Sequence, residues 1–474
     1  MTATTSDRLG GWPALVAAGF AVSLVLIDGF IVSAAAPHLI ADFGMGPEHM
    51  GWLIGAYVLP LAALPLIFGA LGDRFGIRKI FSLGILLLVS GSLLCATSGS
   101  LIELVLWRFV QGCGAALISP QTLNAAAAAL GAARRGLAIG AWGALSSVGL
   151  LLGPILGGLI LSWLSWHWIF LVNLPLGLLA LAGFLWAVPP RGPAHAGAWT
   201  PPLLSAALLA LSVGFLVAAL GPMFRGEAVG LGGVLAGLAG LSLWTLRETR
   251  TSQAAPLLVG PAILGSRQFR TACLAAFAMN ASSAGTVAVI SIIIARAQGE
   301  LNAVLTGLLF IPGMVAVAAL MPYAGKLAQQ RTRLSSHCLT AASVAAIVSP
   351  AFTGLAFFAG VEPAFWAAAA AIALQGAAGA FVLSYASFGA VTAVEMKNAG
   401  LASGALSMSR NIGTAIGAAT LTGVIAISGS LALPFVASFC LATLSLPFLR
   451  RYLRDVRAAA APSSPDAGPA GARS

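Results

Sequence analysis

Charged residues are confined to short stretches of this chain, and the long segments between them are almost wholly apolar. Residues 80–97 and 203–220, for example, contain no charge at all. Because an α-helix needs about 20 apolar residues to cross a bilayer, each segment predicts one membrane-spanning helix. The predicted spans are fourteen, at approximately 13–36, 50–71, 79–98, 101–129, 137–161, 167–188, 201–221, 228–246, 269–295, 303–325, 335–358, 363–390, 400–426 and 430–450.

One pattern of residues occurs twice, at a constant offset of 264 positions. The first copy comprises Gln111-Gly112, Gly136-Leu137-Ala138, Gly149 and Gly153, and the second comprises Gln375-Gly376, Gly400-Leu401-Ala402, Gly413 and Gly417. Matching halves in so apolar a chain indicate a transporter built by duplication, with its binding site where the halves meet. The repeat divides the chain into six spans in 1–188, two extra spans in 189–268, six more in 269–450, and a disordered cytoplasmic tail in 451–474.

Composition supports this interpretation. The chain is 59% hydrophobic and 8% charged, with a mean hydropathy of +0.98, whereas soluble domains carry about 25% charged residues. The net charge of +11 could indicate nucleic-acid binding, but 20 of the 24 Lys and Arg residues fall in alternate loops and tails on one side. The positive-inside rule then places both termini in the cytoplasm, and no nucleic-acid partner is expected.

The loop between the second and third spans has an ordered pattern of glycines and charges, with Gly69, Asp73, Arg74, Gly76 and Arg78. Glycines permit a tight turn, and the Asp73 carboxylate can meet the positive end of a nearby helix. A charged hairpin that only marks topology is the simpler alternative. The second half has a weaker version at 325–333, where Gln329 takes the place of the acid.

Two opposite charges lie inside predicted spans. Asp28 is the only acid well inside a span, and Arg108 lies at a similar depth in span four, so the two side chains could pair. Intramembrane charges are costly and usually functional, which makes Asp28 and Arg108 candidates for proton coupling, with a proton competing against Arg108 for the acid. A structural role for Asp28, and an arginine that extends to the outer interface, are the alternatives.

Span five contains Gly149, Gly153-Pro154 and Gly157-Gly158. Glycines that recur every four residues form a groove on one helix face, and a proline bends the helix. The pattern predicts a close, kinked crossing. An outward-facing seal at this crossing is one hypothesis, and a simple packing role is the alternative.

Several of these motifs resemble those of the major facilitator superfamily. The loop at 69–79 is similar to the family's loop motif, the fourth-span stretch at 108–115 to its arginine motif, and the span-five pattern to its antiporter motif. Two further stretches resemble the fourteen-span drug:proton antiporters of this family. They are Ile27-Asp28-Gly29-Phe30-Ile31-Val32-Ser33 with Pro37, and Trp166-His167-Trp168-Ile169-Phe170-Leu171-Val172-Asn173-Leu174-Pro175. Phe30, Ser33 and His167 depart from the branch pattern.

The resemblance covers residues 13–450 and implies an all-α integral membrane protein with the major facilitator fold: two six-helix bundles plus two extra central spans. It also implies a drug exporter in the bacterial inner membrane that exchanges small-molecule substrates for protons and needs no cofactor. The protein is expected to be a monomer, and the need for a periplasmic adaptor is left open.

The substrate cavity between the halves would be lined by polar or aromatic residues within spans. Candidates are Tyr57, Gln111, Gln121, Trp142, Asn280, Gln375, Tyr385, Arg410 and Asn411. The presence of Arg410 in span thirteen, which contains no acid, predicts neutral, weakly anionic or monocationic substrates rather than dications.

The sequence shows no metal-ligand cluster, nucleophile–base spacing or phosphate-binding loop, so an enzyme or an ATP-driven pump is not expected. An uptake symporter of the same fold is the main alternative to an exporter, and the Gly-Pro pattern of span five favours export. A membrane enzyme or sensor is a more distant alternative.

Overall fold

The structure is a computed structural model of the chain. It describes residues 10–46, 49–190, 202–224, 226–250, 258–259, 261–298, 302–330, 332–358, 363–428, 430 and 433–460. Every regular element in these ranges is helical. Most of the predicted linker after 188, and the tail beyond 460, lie outside the described residues.

The first half of the chain forms one bundle and is followed by a separate helical pair. The bundle consists of α1 (Gly11–Ala34), α2 (Ala36–Phe43), α3 (His49–Ala63), α4 (Pro65–Phe75), α5 (Ile77–Ala96), α6 (Leu101–Ala129), α7 (Arg135–Trp163), α8 (His167–Leu171) and α9 (Asn173–Ala187). The pair consists of α10 (Leu203–Phe224) and α11 (Ala228–Arg250), which pack on each other, and α10 also contacts α3.

The second bundle repeats the packing of the first. It contains α12 (Pro261–Gly265), α13 (Arg267–Gln298), α14 (Asn302–Gln330), α15 (Arg333–Phe358), α16 (Pro363–Thr392), α17 (Ala399–Ser428), α18 (Leu433–Thr443) and α19 (Leu446–Ala460). In the first bundle α1 packs on α7 and α5 on α6, while in the second α13 packs on α17 and α15 on α16. The two bundles therefore share the same arrangement of packed helices.

Within the described ranges, eleven helices are long and apolar enough to cross a membrane, or twelve when α3 and α4 are taken as one broken span. The chain is a multi-pass membrane protein. The other two predicted spans correspond to α10, whose apolar part is Leu204–Leu220, and to α17, which has 30 residues. The number fourteen stays a prediction.

The second predicted span is not a straight helix. The axes of α3 and α4 differ by 52°, with Pro60 inside α3 and Pro65 in the first turn of α4. Since proline lacks the amide hydrogen and its ring clashes with the preceding turn, two prolines five residues apart bend the span. The apolar pattern alone does not reveal this bend.

The two bundles meet along two seams, where α14 packs on α7 and α17 packs on α4. Both seams include the ends of the helices beside the positively charged loops, which contain Arg74, Arg78, Lys79, Arg134 and Lys397. We call this side of the protein the basic end. The seams are closed there, so the interior between the bundles has no opening along them at the basic end.

The prediction of disorder from residue 451 is wrong for residues 451–460, which complete α19. Arg451 pairs with Asp455 one turn later, at 3.6 Å, and the Tyr452 ring lies 5.1 Å from that of Tyr385. These contacts on the second bundle stabilise the helix, although its composition is polar.

Candidate functional site

The Asp28 side chain is the centre of a buried polar cluster in the first bundle. Its Oδ2 atom lies 3.2 Å from Nη1 of Arg108, and its Oδ1 atom accepts hydrogen bonds from Gln111 Nε2 at 3.2 Å and Asn173 Nδ2 at 2.5 Å. Ser92 joins the cluster, because its hydroxyl accepts from Gln111 Nε2 at 2.6 Å. Both charged side chains are fully buried. The predicted pairing of Asp28 with Arg108 is present.

Aromatic rings surround the rest of the Arg108 guanidinium. Its centre lies 4.3 Å from the ring centroid of Tyr57 and 6.0 Å from that of Phe170. Nε and Nη2 of Arg108 have no hydrogen-bond partner among the described residues. The cation is therefore held by one carboxylate, by the Gln111 Oε1 atom at 3.0 Å and by ring faces, and a buried charge of this kind depends strongly on its single counter-ion.

The second bundle has no charge at the equivalent site. Gly149 contacts Ser23 and its counterpart Gly413 contacts Phe277, so the counterpart of Asp28 is Ser282. Ile372 occupies the position that corresponds to Arg108. Ser282 Oγ instead shares a hydrogen bond with Ser438 Oγ at 2.8 Å. The charged pair belongs to one bundle only, which makes the two halves chemically unequal.

Two members of this cluster, Asn173 and Ser92, are not predicted by the sequence. Asn173 is buried at the start of α9 and is one of few amides within the spans, which is a usable signal. Ser92 has no such signal, because serines are common in membrane helices and most donate to their own backbone.

At the basic end, Asp73 meets the positive end of a helix, and that helix belongs to the other bundle. The Asp73 carboxylate accepts from the backbone amides of Gly400 and Leu401, both at 2.8 Å. These amides belong to the first turn of α17, where free N–H groups and the helix dipole attract an anion. Gly76 ends α4 with a positive φ of 95°, which allows the chain to turn directly into α5. Arg74 and Arg78 are half-buried beside this turn.

Gln329 makes the equivalent link across the other seam, without a charge. Its Oε1 accepts from the Gly136 amide at 2.8 Å, and its Nε2 donates to the Ala132 carbonyl at 2.8 Å. The sequence shows that the second half lacks the acid that corresponds to Asp73. It does not show that the Gln329 side-chain amide links the bundles instead. At the closed basic end, the two bundles are thus joined by one charged contact, through Asp73, and by one uncharged contact, through Gln329.

Replacing Asp73 by leucine should open the seam between α4 and α17. Two charge-assisted hydrogen bonds are lost, each of about 1.5–3 kcal/mol, so the open population should rise by at least about tenfold. Spin labels at Phe75 and Met396, in a background without native cysteines, would report longer distances. Glu395→Leu, which removes an exposed carboxylate at the same end, is the matched control. An unchanged distance distribution in Asp73→Leu would contradict this function.

The glycine face of α7 packs on α1, within the first bundle. A Cβ atom on Gly149 would lie 2.5 Å from the Ser23 Cα, one on Gly153 would lie 3.2 Å from the Ile27 carbonyl oxygen, and one on Gly157 would lie 2.8 Å from the Ala34 Cβ. Pro154 and Gly158 lie on the exposed side of the same helix. The predicted close crossing is present, but it joins two helices of one bundle.

We expect Gly149→Leu to lower the amount of protein in the membrane several-fold, because the side chain would displace the α1 backbone. Gly153→Leu, with more room, should insert but lose coupled transport. Gly158→Leu is the control, since no atom lies within 4 Å of its Cβ position. Membrane abundance measured together with transport separates these outcomes. Equal behaviour of the three variants would refute the assigned packing.

Among the cavity candidates, Trp142 and Arg410 lie across the space between the bundles, with the guanidinium centre 5.9 Å from the ring centroid. Asn411 donates to the Leu61 carbonyl at 2.7 Å and so connects α17 to α3. Gln375 is buried on α16, and its Nε2 has no partner within the described chain.

The remaining candidates do not lie together with Trp142 and Arg410. Tyr57 and Gln111 belong to the Asp28 cluster, and Gln121 donates to the Phe68 carbonyl at 2.8 Å inside the first bundle. Asn280 donates to its own helix, at Ala276. Tyr385 shares a hydrogen bond with Ser335, in the first turn of α15 at the basic end. Polarity within a span therefore overestimates the number of cavity residues.

Comparison with known proteins gives the family context. A family model described as "Major Facilitator Superfamily" matches residues 18–358. The MdtD protein of Cronobacter sakazakii, to which multidrug resistance is provisionally ascribed, is 40% identical over 175 residues, or 37% of each chain. The riboflavin transporter RibZ of Clostridioides difficile is 35% identical over 170 residues, or 36% of this chain and 37% of RibZ. The chain thus spans little more than a third of the length of these relatives.

A solved structure agrees in fold over nearly the whole chain. The proton:xylose symporter XylE superposes with a TM-score of 0.64 and 15% sequence identity, covering 93% of this chain and 95% of XylE. At this identity the likeness concerns the fold alone.

Proposed function

The chain belongs to the Major Facilitator Superfamily, and we propose that it is a proton-coupled antiporter that exports small hydrophobic or amphipathic compounds by alternating access. The observation that carries the proposal is the buried Asp28–Arg108 pair of the first bundle. A titratable acid with a single cationic partner inside a membrane gives protons a site at which to act.

The electrostatics of the pair suggest how a proton drives the cycle. With Asp28 ionised, the pair is neutral overall and is stable in its apolar surroundings. Protonation of Asp28 leaves the Arg108 cation without a counter-ion, which is costly in a buried site. A conformation in which the cluster opens to water is then favoured, so proton binding and release are coupled to movement of the bundles.

The direction of transport is inferred from the glycine pattern of α7 and from a relative, and the basic end indicates which state the structure shows. The positive-inside rule places the basic end in the cytoplasm, so closed seams there correspond to a state that faces outward. The glycine pattern of α7 resembles that of exporters, and the MdtD relative supports an efflux role. RibZ, named as a riboflavin transporter, keeps the range of substrates open.

We further propose fourteen spans, in which α10 and α17 complete the set. The 22 residues of α10 and the 30 residues of α17 are both long enough to cross about 30 Å of hydrocarbon. Both termini would then be cytoplasmic, in a bacterial inner membrane. The protein is proposed to act as a monomeric transporter rather than an enzyme, and the need for an adaptor is left open.

Purified full-length protein in liposomes provides the decisive test. An acidic lumen should drive accumulation of a substrate if the protein is an antiporter, whereas an acidic exterior would drive it if the protein is a symporter. A panel of neutral, monoanionic and monocationic amphipathic compounds, with riboflavin included, covers the candidate range. Accumulation of none of them under either gradient would overturn proton coupling for these compound classes.

A further inference from the structure

Arg410 is a second cation within a predicted span; it is half-buried and is placed differently from Arg108. Its neighbours on α17 fix its direction: Asn411 bonds to Leu61 on α3, and Gly413 packs on Phe277 of α13. The guanidinium of Arg410 lies between these contacts and is directed at Trp142 of α7. It therefore lies in the interior between the bundles, about 9 Å along α17 from the Gly404 contact of the basic-end seam.

Unlike Arg108, Arg410 has no counter-ion within the described chain. None of the described ion pairs or hydrogen bonds involves its guanidinium. The three buried carboxylates of the described residues are engaged elsewhere: Asp28 with Arg108, Asp73 with the first turn of α17, and Glu248 with the backbone of Leu258 and Val259. A cation in an apolar interior favours any ligand that brings a negative charge.

Trp142 adds a second unused donor on the opposite bundle. The residue is 3% exposed, and its Nε1 has no hydrogen-bond partner among the described residues. Buried indole N–H groups usually find an acceptor. Two donors from two bundles, with no acceptor between them in the described ranges, form an incomplete site of the kind that a small anionic group would complete.

We propose that the site formed by Arg410 and Trp142 binds an organic monoanion: a carboxylate or sulfonate attached to an apolar body. The planar guanidinium matches an oxyanion with two N–H groups, and the indole offers an N–H and a ring face. One cation fits one negative charge, so dianions and cations are disfavoured. This inference rests on the proposed function, since it names the substrate class of the same transport path.

Export of a monoanion should depend on the membrane potential as well as on the pH gradient. Exchange of one entering proton for one departing monoanion moves two charges across the membrane in the same electrical sense, whereas exchange for a neutral compound moves one. An inside-negative potential should therefore stimulate export of the monoanion more than export of its neutral analogue.

The test compares a fluorescent amphipathic carboxylate with its methyl ester, which has the same body and no charge. Equilibrium binding to detergent-solubilised full-length protein and transport in liposomes are both measured. Arg410→Gln should weaken carboxylate binding by at least about tenfold, with a much smaller change for the ester. Arg410→Lys should recover part of the affinity, and Trp142→Phe should lose a few-fold, for the carboxylate only. Arg250→Gln, which removes an exposed cation, is the matched control.

The outcomes separate this inference from the proposed function. Equal binding of carboxylate and ester by the wild-type protein, as expected if chloride alone neutralises Arg410, would overturn the inference. So would equal losses for both compounds in Arg410→Gln, which would indicate a structural role. Specific carboxylate binding without gradient-driven transport of any compound would support the inference and refute the proposed proton coupling.

Discussion

Asp28→Asn is expected to abolish uphill export while the protein still folds and binds its substrate. Asparagine has nearly the same shape as aspartate and keeps one oxygen that can accept from Gln111 or Asn173. It has no proton to exchange near neutral pH, so accumulation driven by a pH gradient should fall to the background level. Substrate exchange without a gradient should persist, because that reaction needs movement but not protonation.

The obvious difficulty is that asparagine leaves Arg108 as an uncompensated buried charge, which can destabilise the protein by several kcal/mol. The double variant Asp28→Asn/Arg108→Gln removes both charges and so restores neutrality. If this double variant is well folded, binds substrate and does not respond to a pH gradient, the loss belongs to the proton site. Gradient-driven accumulation at the wild-type level by either variant would refute the assignment of Asp28.

The Asp28 site was largely predictable. Charged residues are rare inside these spans, so Asp28 and Arg108 are conspicuous in the sequence as functional candidates. Their depths, read from the span limits, were sufficient to predict the pair. The rest of the cluster was harder. Asn173 and Ser92 come from other helices, and their approach depends on how α5 and α9 pack around α1. That geometry is tertiary and is not contained in the periodicity of any one span.

The contact between Arg410 and Trp142 shows a different limit. Both residues were predicted to line the cavity on polarity and position alone, as were Asn280 and Tyr385, which donate elsewhere. What distinguishes Arg410 is that no described residue provides it with a counter-ion, and only the packed structure shows which partners a side chain lacks. Similarly, the sequence shows that Gln329 stands where the first half has an acid, but it does not show that the Gln329 side chain accepts a hydrogen bond from the Gly136 amide.

The glycine pattern of α7 was predicted to lie at a close helix crossing. In the structure, α7 makes two close crossings, each through a different set of glycines. Gly149 and Gly153 face α1 of the same bundle, whereas Gly136 and Gly140 face α14 of the other bundle. Because α7 is continuous over its 29 residues, the same helix contacts both the seam and α1, which carries Asp28. The proposed proton site and the basic end therefore share one neighbouring helix.

Gly325→Leu is expected to prevent closure of the basic end and so to reduce coupled export by at least about 100-fold, which corresponds to a barrier or population change of about 2.7 kcal/mol. A Cβ atom on Gly325 would lie 3.0 Å from the Gly140 Cα and closer still to the Gly136 carbonyl oxygen. These neighbours belong to the other bundle, so each bundle should fold normally. A leucine would separate α14 from α7 and hold the protein open to the cytoplasm.

Gly69→Leu tests the other seam in the same way, because its Cβ would lie 2.8 Å from the Gly400 carbonyl carbon and 3.2 Å from the Gly404 Cα. Gly183→Leu is the control, since no atom lies within 4 Å of its Cβ position. Both seam variants should be abundant in the membrane, bind substrate from the basic end and give long distances between labels at Phe75 and Met396. A seam variant that closes and exports normally would show that the two bundles do not need this contact to complete the cycle.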